Sequence, residues 1–314
     1  MLAYYLHRPR AASLDRTRAV VEALPGDVVV VSPGPAPWGW PTPWHTVASD
    51  DPSVWSTWVR ANRPDHVVVD GSAEHVTAVR DSSVTVAVLA EPGDPGDGPL
   101  TAAYRAADLV LAPWASTGRD EPCSPPGRTV HLGAIGWAAG QVAAGAVPAR
   151  RPRSAGWSCV VLSAAGGGMD PRSRRDLVLG SPGWSWWFAP ERDLLVPHGP
   201  IWDRLRQADV VVCAPVQQNL AALVATRSPA LLLLPDHAPA SQHFLASLAA
   251  GSAPAVASTA PRTHEQWRAL LTRVRGLDGR AWATWDPVPR INLLDPPATA
   301  RRSLSGAPLR LTAT

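Results

Sequence analysis

The sequence contains no lysine, so all 29 of its basic residues are arginines. A nucleotide-binding P-loop and a Schiff-base mechanism both require a lysine, and the sequence therefore excludes both. The net charge is only +3, and the arginines are dispersed except at positions 150–153 and 172–175. This distribution lacks the concentrated positive patch of nucleic-acid-binding proteins, so we expect no nucleic-acid partner.

Cysteines and long apolar runs are also scarce. No uninterrupted run of about 18 apolar residues occurs, so the sequence predicts no transmembrane helix. The first ten residues, MLAYYLHRPR, place apolar residues before basic ones, the reverse of a secretory signal peptide, and we expect a cytoplasmic protein. The three cysteines, Cys123, Cys159 and Cys213, are widely spaced. Cys159 and Cys213 fall in apolar segments, which favours small core residues over a metal site or a disulfide.

Proline and tryptophan are abundant instead, at 34 and 15 residues. The segment PGPAPWGWPTPWH, residues 33–45, is so rich in proline that it predicts a loop without regular structure. A chain of 314 residues suits two domains of roughly 150 residues each.

Apolar runs of strand length alternate with amphipathic segments of helix length through the first half of the chain. The predicted strands are Leu2–Leu6, Asp27–Val31, His66–Asp70, Val84–Leu89 and Leu109–Ala112. The predicted helices are Leu14–Leu24, with its arginines on the outer face, Val54–Asn62, Ala73–Arg80 and Thr101–Ala107. Such β-α-β alternation predicts a doubly wound α/β domain with a parallel sheet.

The second half repeats this alternation after an Ala-, Gly-, Pro- and Arg-rich segment. The predicted domains are residues 1–140 and 157–290, joined by a linker at 141–156 and followed by a loose tail at 291–314. The second half is predicted to contain strands at Ser158–Ser163, Trp184–Phe188, Val210–Val212, Leu231–Leu234 and Ala253–Ser258, with a last helix at Thr263–Val274. A further helix is predicted to begin at Pro215, and a polar loop to carry Asp236, Ser241 and Gln242.

Two turns of this second half are candidates for binding phosphate. Gly166, Gly167 and Gly168 follow its first strand, where backbone N–H groups can approach a diphosphate closely, although a plain turn is the alternative. Gln217 and Gln218 lie in the first turn of the helix that Pro215 is predicted to open, where unpaired N–H groups favour an anion.

The stretch from Ala208 to Gln242 resembles the nucleotide-sugar-binding half of GT-B glycosyltransferases. It is most similar to an actinobacterial group related to the N-acetylglucosaminyltransferase of peptidoglycan synthesis (family 28-like). The family pattern is a strand, His-Ala-Gly-Gln-Asn, a helix with a glutamate one turn in, Arg-Pro and a further strand. The resemblance extends from Met1 to Trp285 and includes Tyr4-Tyr5, His7, Arg16, Val67–Glu74, Glu91–Asp94, Leu109–Trp114 and Leu277–Trp285. It implies a GT-B α/β fold, with two doubly wound Rossmann-like domains facing each other across a cleft.

Several side chains depart from the family pattern. Ser13 stands where the family has a histidine, Ala222 where it has the glutamate that holds the ribose, and Arg8–Ala12 where it has a glycine-containing loop. A later acidic triplet that touches the sugar corresponds to Ala240-Ser241-Gln242, of which Gln242 retains the family residue. The resemblance therefore implies the scaffold of a transferase with a degenerate active site.

An inverting, metal-independent transfer needs a general base, and His7 and Asp70 are the candidate catalytic residues. Both come at the carboxyl ends of predicted strands, and the alternatives are a hydrogen-bonded loop histidine and a helix cap. Gly166–Gly168, Pro215, Gln217, Gln218 and Gln242 are the candidate residues for the donor. We expect no metal and no cofactor apart from the donor substrate, which would be UDP-sugar or another nucleotide-sugar.

Three functions remain open on the sequence. One is a glycosyltransferase that uses a nucleotide-sugar donor and a small-molecule or lipid-linked acceptor. Another is a catalytically silent GT-B protein that pairs with or regulates an active glycosyltransferase. The third is a different activity on the same scaffold, such as that of an epimerase or a hydrolase. Because two family side chains are missing in separate domains, the sequence predicts weak or absent transfer by the isolated chain.

Overall fold

The computed structural model describes residues 1–93, 99–116, 129–144, 157–163, 171–259, 261 and 263–291. In these ranges the chain forms two parallel sheets. The first has the strand order β3-β2-β1-β4-β5-β6-β7 and the second the order β12-β11-β10-β8-β9. Each order reverses direction once, as in doubly wound folds, and this reversal places loops from neighbouring strands on either side of a crevice.

The first sheet and its helices occupy the N-terminal half. Its strands are β1 (Leu2–Leu6), β2 (Val28–Ser32), β3 (Trp44–Thr46), β4 (His66–Asp70), β5 (Thr85–Leu89), β6 (Leu109–Ala112) and β7 (Thr129–His131). The helices of this half are α1 (Ala11–Ala23), α2 (Pro52–Asn62), α3 (Ala73–Val79), α4 (Pro99–Ala106) and α5 (Trp137–Ala144). The central strands are valine-rich and buried on both faces, which is the pattern of a parallel sheet covered by helices.

The second sheet has the same construction. Its strands are β8 (Trp157–Ser163), β9 (Trp184–Pro190), β10 (Val210–Cys213), β11 (Ala230–Leu234) and β12 (Ala255–Thr259). The accompanying helices are α6 (Pro171–Gly180), α7 (Pro200–Gln207), α8 (Gln217–Thr226), α9 (Ala240–Ser252) and α10 (His264–Arg275), with 3₁₀ turns at Glu191–Leu195 and Gly279–Trp285. Cys159 and Cys213 are buried in β8 and β10 as free thiols. Across the described ranges, every helix is too short or too polar to cross a membrane.

An edge strand, a helix start and a predicted loop are among the segments that differ from their predicted structure. Trp44–Thr46 forms the edge strand β3 within the predicted loop, because its backbone pairs with β2 and the Trp44 indole donates to the Gly34 carbonyl at 3.0 Å. Helix α8 begins at Gln217, since Val216 is still extended, so Pro215 precedes the helix instead of opening it. Ser241 and Gln242 lie in the first turn of α9 and not in a loop.

The end of the described chain returns to the N-terminal half. The Trp285 carbonyl accepts from the Ala134 N–H at 2.9 Å, the Val288 N–H donates to Leu132 at 3.0 Å, and the Ile291 N–H donates to Ala23 at 2.8 Å. The residues at the start of the predicted linker are helical in α5, which packs against α1 and α8. The domain boundaries stay a prediction, but both segments tie the two halves together.

Gly279 occupies a position where a side chain does not fit. A Cβ atom there would overlap the carbonyl of Arg227, the residue that ends α8 in a left-handed conformation with φ of 55°. We expect Gly279→Ala to lower the free energy of unfolding by about 1–3 kcal/mol, the usual cost of overpacking. Chemical denaturation measures this loss. Gly251→Ala is the control, because a Cβ at Gly251 meets no atom within 4 Å, and a loss of similar size in both variants would contradict the steric explanation.

Candidate active site

A cleft of about 430 Å³ lies where loops of the two halves meet. The N-terminal half contributes the start of α1 and the loop after β5, and the C-terminal half contributes the turn after β9 and the starts of α8 and α9. The lining residues are Ala12, Ser13, Asp15, Arg16, Glu91, Pro92, Ile135, Glu191, Pro215, Val216, Gln217, Gln218, Ser241, Gln242 and Leu245. Its volume is in the range of small-ligand pockets.

At one end of this cleft the backbone of the loop after β5 packs closely against the backbone at the start of α9. Gly93 has a φ of +76°, and a Cβ there would stand 2.5 Å from the carbonyl oxygen of Ala240. The loop after β5 therefore lies directly against the first turn of α9, which carries Ser241 and Gln242. Only glycine combines this left-handed conformation with so close an approach. The contact sets the position of the α9 first turn relative to the N-terminal half.

Arg16 connects the two halves across the cleft. One of its terminal nitrogens donates to the Gln217 Oε1 atom at 2.9 Å, and the other donates to the Asp70 Oδ1 atom at 2.7 Å. Its side chain is 20% exposed, so the prediction that the α1 arginines point outward is wrong for Arg16. The register that pairs Leu6 with Asp70 explains this orientation, because it brings the end of β4 under the first turns of α1.

Both carboxylate oxygens of Asp70 accept hydrogen bonds. The Tyr4 hydroxyl donates to its Oδ2 atom at 2.8 Å, while Arg16 binds Oδ1, and the residue is 2% exposed. Burial raises the pKa of Tyr4 well above its usual value, so the phenol keeps the proton that it donates. This arrangement suits a carboxylate that positions Arg16. The catalytic role predicted for Asp70 remains a prediction.

Two glutamines on the C-terminal wall of the cleft each have one amide atom without a hydrogen-bond partner among the described residues. Neither the Gln217 Nε2 atom nor the Gln242 Oε1 atom, both buried, has a hydrogen-bond partner among the described residues. Gln218 instead donates its Nε2 hydrogen to the Glu191 carbonyl at 3.1 Å. Buried polar atoms in native proteins are nearly always paired. Gln217 and Gln242, each with one unpaired amide atom, both line the cleft, and Pro215 lies in the same wall.

Glu191 places a carboxylate in this wall that the sequence reasoning missed. Its Oε1 atom accepts from the Asn219 Nδ2 atom at 2.6 Å, and burial raises its pKa. Ala222, where the family resemblance expects a glutamate, is buried inside α8. The signal that could have found Glu191 is its position directly after a predicted strand, at the carboxyl edge of the sheet where ligands bind.

His7 belongs to a polar cluster at the carboxyl edge of the first sheet. Its Nδ1 atom lies 2.8 Å from the Asp50 Oδ1 atom, which also accepts from the Tyr5 hydroxyl at 2.8 Å. The His7 side chain is 16% exposed. Burial lowers the pKa of the neighbouring His75 to about 4, so that imidazole is neutral. An imidazole held by a carboxylate in this way is the usual arrangement of a general base.

Asp50 and His75 were not among the candidate residues. Asp50 precedes α2, and His75 lies in α3, so both are far from His7 in sequence.

Ser13, at the position of the family histidine, has a structural role instead. Its hydroxyl accepts from the Arg10 N–H at 2.8 Å and lies 2.8 Å from the Arg8 carbonyl, which closes the first turn of α1. Gly166, Gly167 and Gly168 lie outside the described residues, so their phosphate-binding role stays a prediction.

Solved glycosyltransferase structures share this architecture. The spinosyn rhamnosyltransferase SpnG, complexed with thymidine diphosphate, superposes with a TM-score of 0.60 at 15% identity over 90% of this chain and 94% of its own. MurG of Acinetobacter baumannii gives 0.60 at 11% identity, over 96% and 98% of the two chains. The glycosyltransferase SnogD of Streptomyces nogalater gives 0.56 at 14% identity, over 97% and 98%.

The chain has the GT-B fold. Both parallel sheets and nearly the whole length of the chain take part in the likeness, which confirms the fold that the sequence predicts. No protein-family model and no curated protein matches the sequence. At identities this low the likeness shows the fold alone, and the chemistry depends on the residues of the cleft.

Proposed function

We propose that this chain is a glycosyltransferase that binds a nucleotide-sugar in the cleft and transfers the sugar to a small-molecule acceptor. The observation that carries the proposal is the set of unpaired polar groups on the C-terminal wall, Gln217 and Gln242, beside the carboxylate of Glu191. A diphosphate would lie at the start of α8, where the first backbone N–H groups of a helix favour an anion. SpnG, which shares the fold, is complexed with thymidine diphosphate, and this supports a nucleotide as the ligand.

Glu191 is the residue that we assign to the ribose. A carboxylate accepts hydrogen bonds from vicinal hydroxyl groups, and Asn219 already orients one of its oxygens. In this role Glu191 replaces the side chain that is absent at Ala222. The base that we assign to the acceptor hydroxyl is His7. Its Nδ1 atom lies 2.8 Å from the Asp50 Oδ1 atom, so the tautomer with its proton on Nδ1 would donate to Asp50 and present Nε2 as the acceptor.

A donor screen tests the proposed function. The purified chain is incubated with UDP-, TDP- and GDP-sugars and a set of hydroxylated acceptors, and release of nucleoside diphosphate is measured together with the glycoside formed. We expect release that depends on both donor and acceptor, and that is strongly reduced in Gln217→Leu. Binding of nucleotide without any transfer would favour the silent GT-B protein, and absence of both would refute the proposal.

The raised pKa of Glu191 makes donor binding depend on pH. The ionised carboxylate accepts from the ribose, so affinity is full above the pKa of Glu191 and falls as the group is protonated. This fall should begin above pH 4.3, roughly the ordinary pKa of glutamate, because burial raises the value in the folded chain. Loss of a hydrogen bond to a charged group corresponds to about a 10- to 150-fold weaker Kd.

Nucleoside diphosphate titrations between about pH 8 and pH 5 measure this dependence. Glu191→Gln is the matched variant, since it keeps the size of the side chain and removes its titration. We expect weak binding at all pH values in Glu191→Gln and a falling affinity in the native chain. Equal pH dependence in the two proteins would remove Glu191 from the ribose site.

A further inference from the structure

His7, Asp50 and His75 bring three metal-ligating atoms to one point at the carboxyl edge of the first sheet. One atom from each residue, an imidazole nitrogen or a carboxylate oxygen, lies within 4.8 Å of the other two. The Asp50 Oδ1 atom is 2.8 Å from His7 Nδ1 and 3.7 Å from His75 Nε2. In a tetrahedral zinc site with bonds of about 2.0–2.1 Å, ligand atoms stand roughly 3.3 Å apart. The two distances to the Asp50 oxygen lie on either side of this spacing, and the two imidazole nitrogens, which are within 4.8 Å of each other, would have to approach to surround one ion.

The burial and the fixed orientation of the His75 ring also favour a metal site. The residue is 1% exposed, and its Nε2 atom has no hydrogen-bond partner among the described residues. The other ring nitrogen lies 2.6 Å from the Ser72 hydroxyl, and the ring stacks on Tyr5 with centroids 4.3 Å apart. These contacts fix the ring with Nε2 directed toward Asp50. A buried imidazole nitrogen that is held in a fixed direction and has no hydrogen-bond partner is suited to bind a metal ion.

We propose that His7, Asp50 and His75 bind a divalent transition metal ion, with zinc as the preferred ion. Two imidazole nitrogens and one carboxylate oxygen suit zinc and disfavour magnesium and calcium, which prefer oxygen ligands. Tyr5 supports the site from outside, because its hydroxyl donates to Asp50. The Asp50 side chain is 42% exposed, so one side of the ion is open to water. Three protein ligands and one open position is the arrangement of a zinc site that can accept an exogenous ligand.

Zinc binding has one consequence that rests on the proposed function. His7 is also the base of the proposed function. Zinc bound to its Nδ1 atom would replace the contact of that atom with Asp50, which lies 2.8 Å away, so the two roles of His7 exclude each other.

Direct binding measurements test the site without any assay of transfer. The chain is first stripped with a chelator and then titrated with Zn²⁺ in competition with a chromophoric chelator, and with Co²⁺ followed by its visible absorption. We expect one ion per chain and the intense bands of four-coordinate cobalt. His75→Phe keeps a ring of similar shape and removes a ligand, and Asp50→Asn removes the carboxylate. Each should weaken binding by more than the roughly 10- to 100-fold that loss of an outer partner costs.

His243→Ala is the control, because His243 is an exposed histidine of α9 outside the cluster and its loss should leave the affinity unchanged. Circular dichroism shows whether each variant is folded, and if His75→Phe is not, Asp50→Asn decides the test, since Asp50 is an exposed loop residue. Zinc binding that persists in a folded ligand variant, or absence of binding by the native chain, overturns the metal site. Neither result bears on nucleotide binding, so the proposed function stands or falls separately.

Discussion

Replacing Arg16 with methionine is expected to lower the free energy of unfolding by about 3–5 kcal/mol, the cost of leaving one partner of a buried ion pair without the other. Asp70 is almost completely buried, and Arg16 supplies the one positive charge bound to it among the described residues. Tyr4 would remain as a neutral donor and cannot balance the charge. Thermal or urea denaturation of the native and variant chains measures the loss.

The double variant Arg16→Met with Asp70→Asn is the matched control for this prediction. It removes both charges, so no uncompensated charge is left buried, and the uncompensated charge is the main source of the cost in the single variant. We therefore expect it to recover most of the stability lost in Arg16→Met. If Arg16→Met costs less than about 1 kcal/mol, the range of exposed ion pairs, then Arg16 and Asp70 are not the buried pair described here.

Replacing His7 with alanine is expected to reduce the rate of sugar transfer by about 10²–10⁴-fold, the usual contribution of a general base. The loss should appear in kcat, with little change in the Kd of the nucleotide, because His7 is not among the residues that line the cleft. Asp50→Asn should have a smaller effect in the same direction, since the amide still orients the ring but does not stabilise its positive charge. Initial rates at saturating donor measure both.

His243→Ala serves again as the control variant and should retain the native rate. Transfer that is unchanged in His7→Ala would exclude His7 as the base, and loss of transfer in a folded Asp70→Asn with an unchanged Kd of the nucleotide would favour Asp70 instead. Transfer unaffected by either substitution would refute both candidate bases. If the native chain binds the donor and does not transfer it, the silent hypothesis holds.

Local sequence patterns were sufficient for the doubly wound α/β domains and for part of the cleft, and the family resemblance was needed for the GT-B fold. Valine-rich runs such as Val67–Val69 predict buried parallel strands because their apolar side chains require burial on both faces. The same reasoning places Gln217 and Gln218 in the first turn of a helix after a strand, which the structure confirms. Edge strand β3 was missed because its three residues are held by pairing with β2 and not by their own propensity.

The chemistry of the site depends on contacts that no local pattern contains. Asp50 reaches His7 across 43 residues, and Arg16 reaches Gln217 across 201. Helical periodicity alone assigns Arg16 to an outer face, and only the position of Asp70 beneath α1 turns it inward. Glu191 was missed for a similar reason, since nothing in its neighbourhood in sequence shows that Asn219 will hold its carboxylate toward the cleft.

The central claim is that this cleft binds a nucleoside diphosphate through its C-terminal wall. Calorimetric titration of the purified chain with UDP and TDP tests it most directly, with Gln217→Leu as the variant that removes the unpaired Nε2 donor together with the Oε1 atom that binds Arg16. The account predicts one nucleotide per chain and a Kd about 5- to 150-fold weaker in Gln217→Leu, equivalent to about 1–3 kcal/mol for an unmade hydrogen bond. Failure of every nucleoside diphosphate to bind, or equal affinity in the native and Gln217→Leu chains, would contradict it.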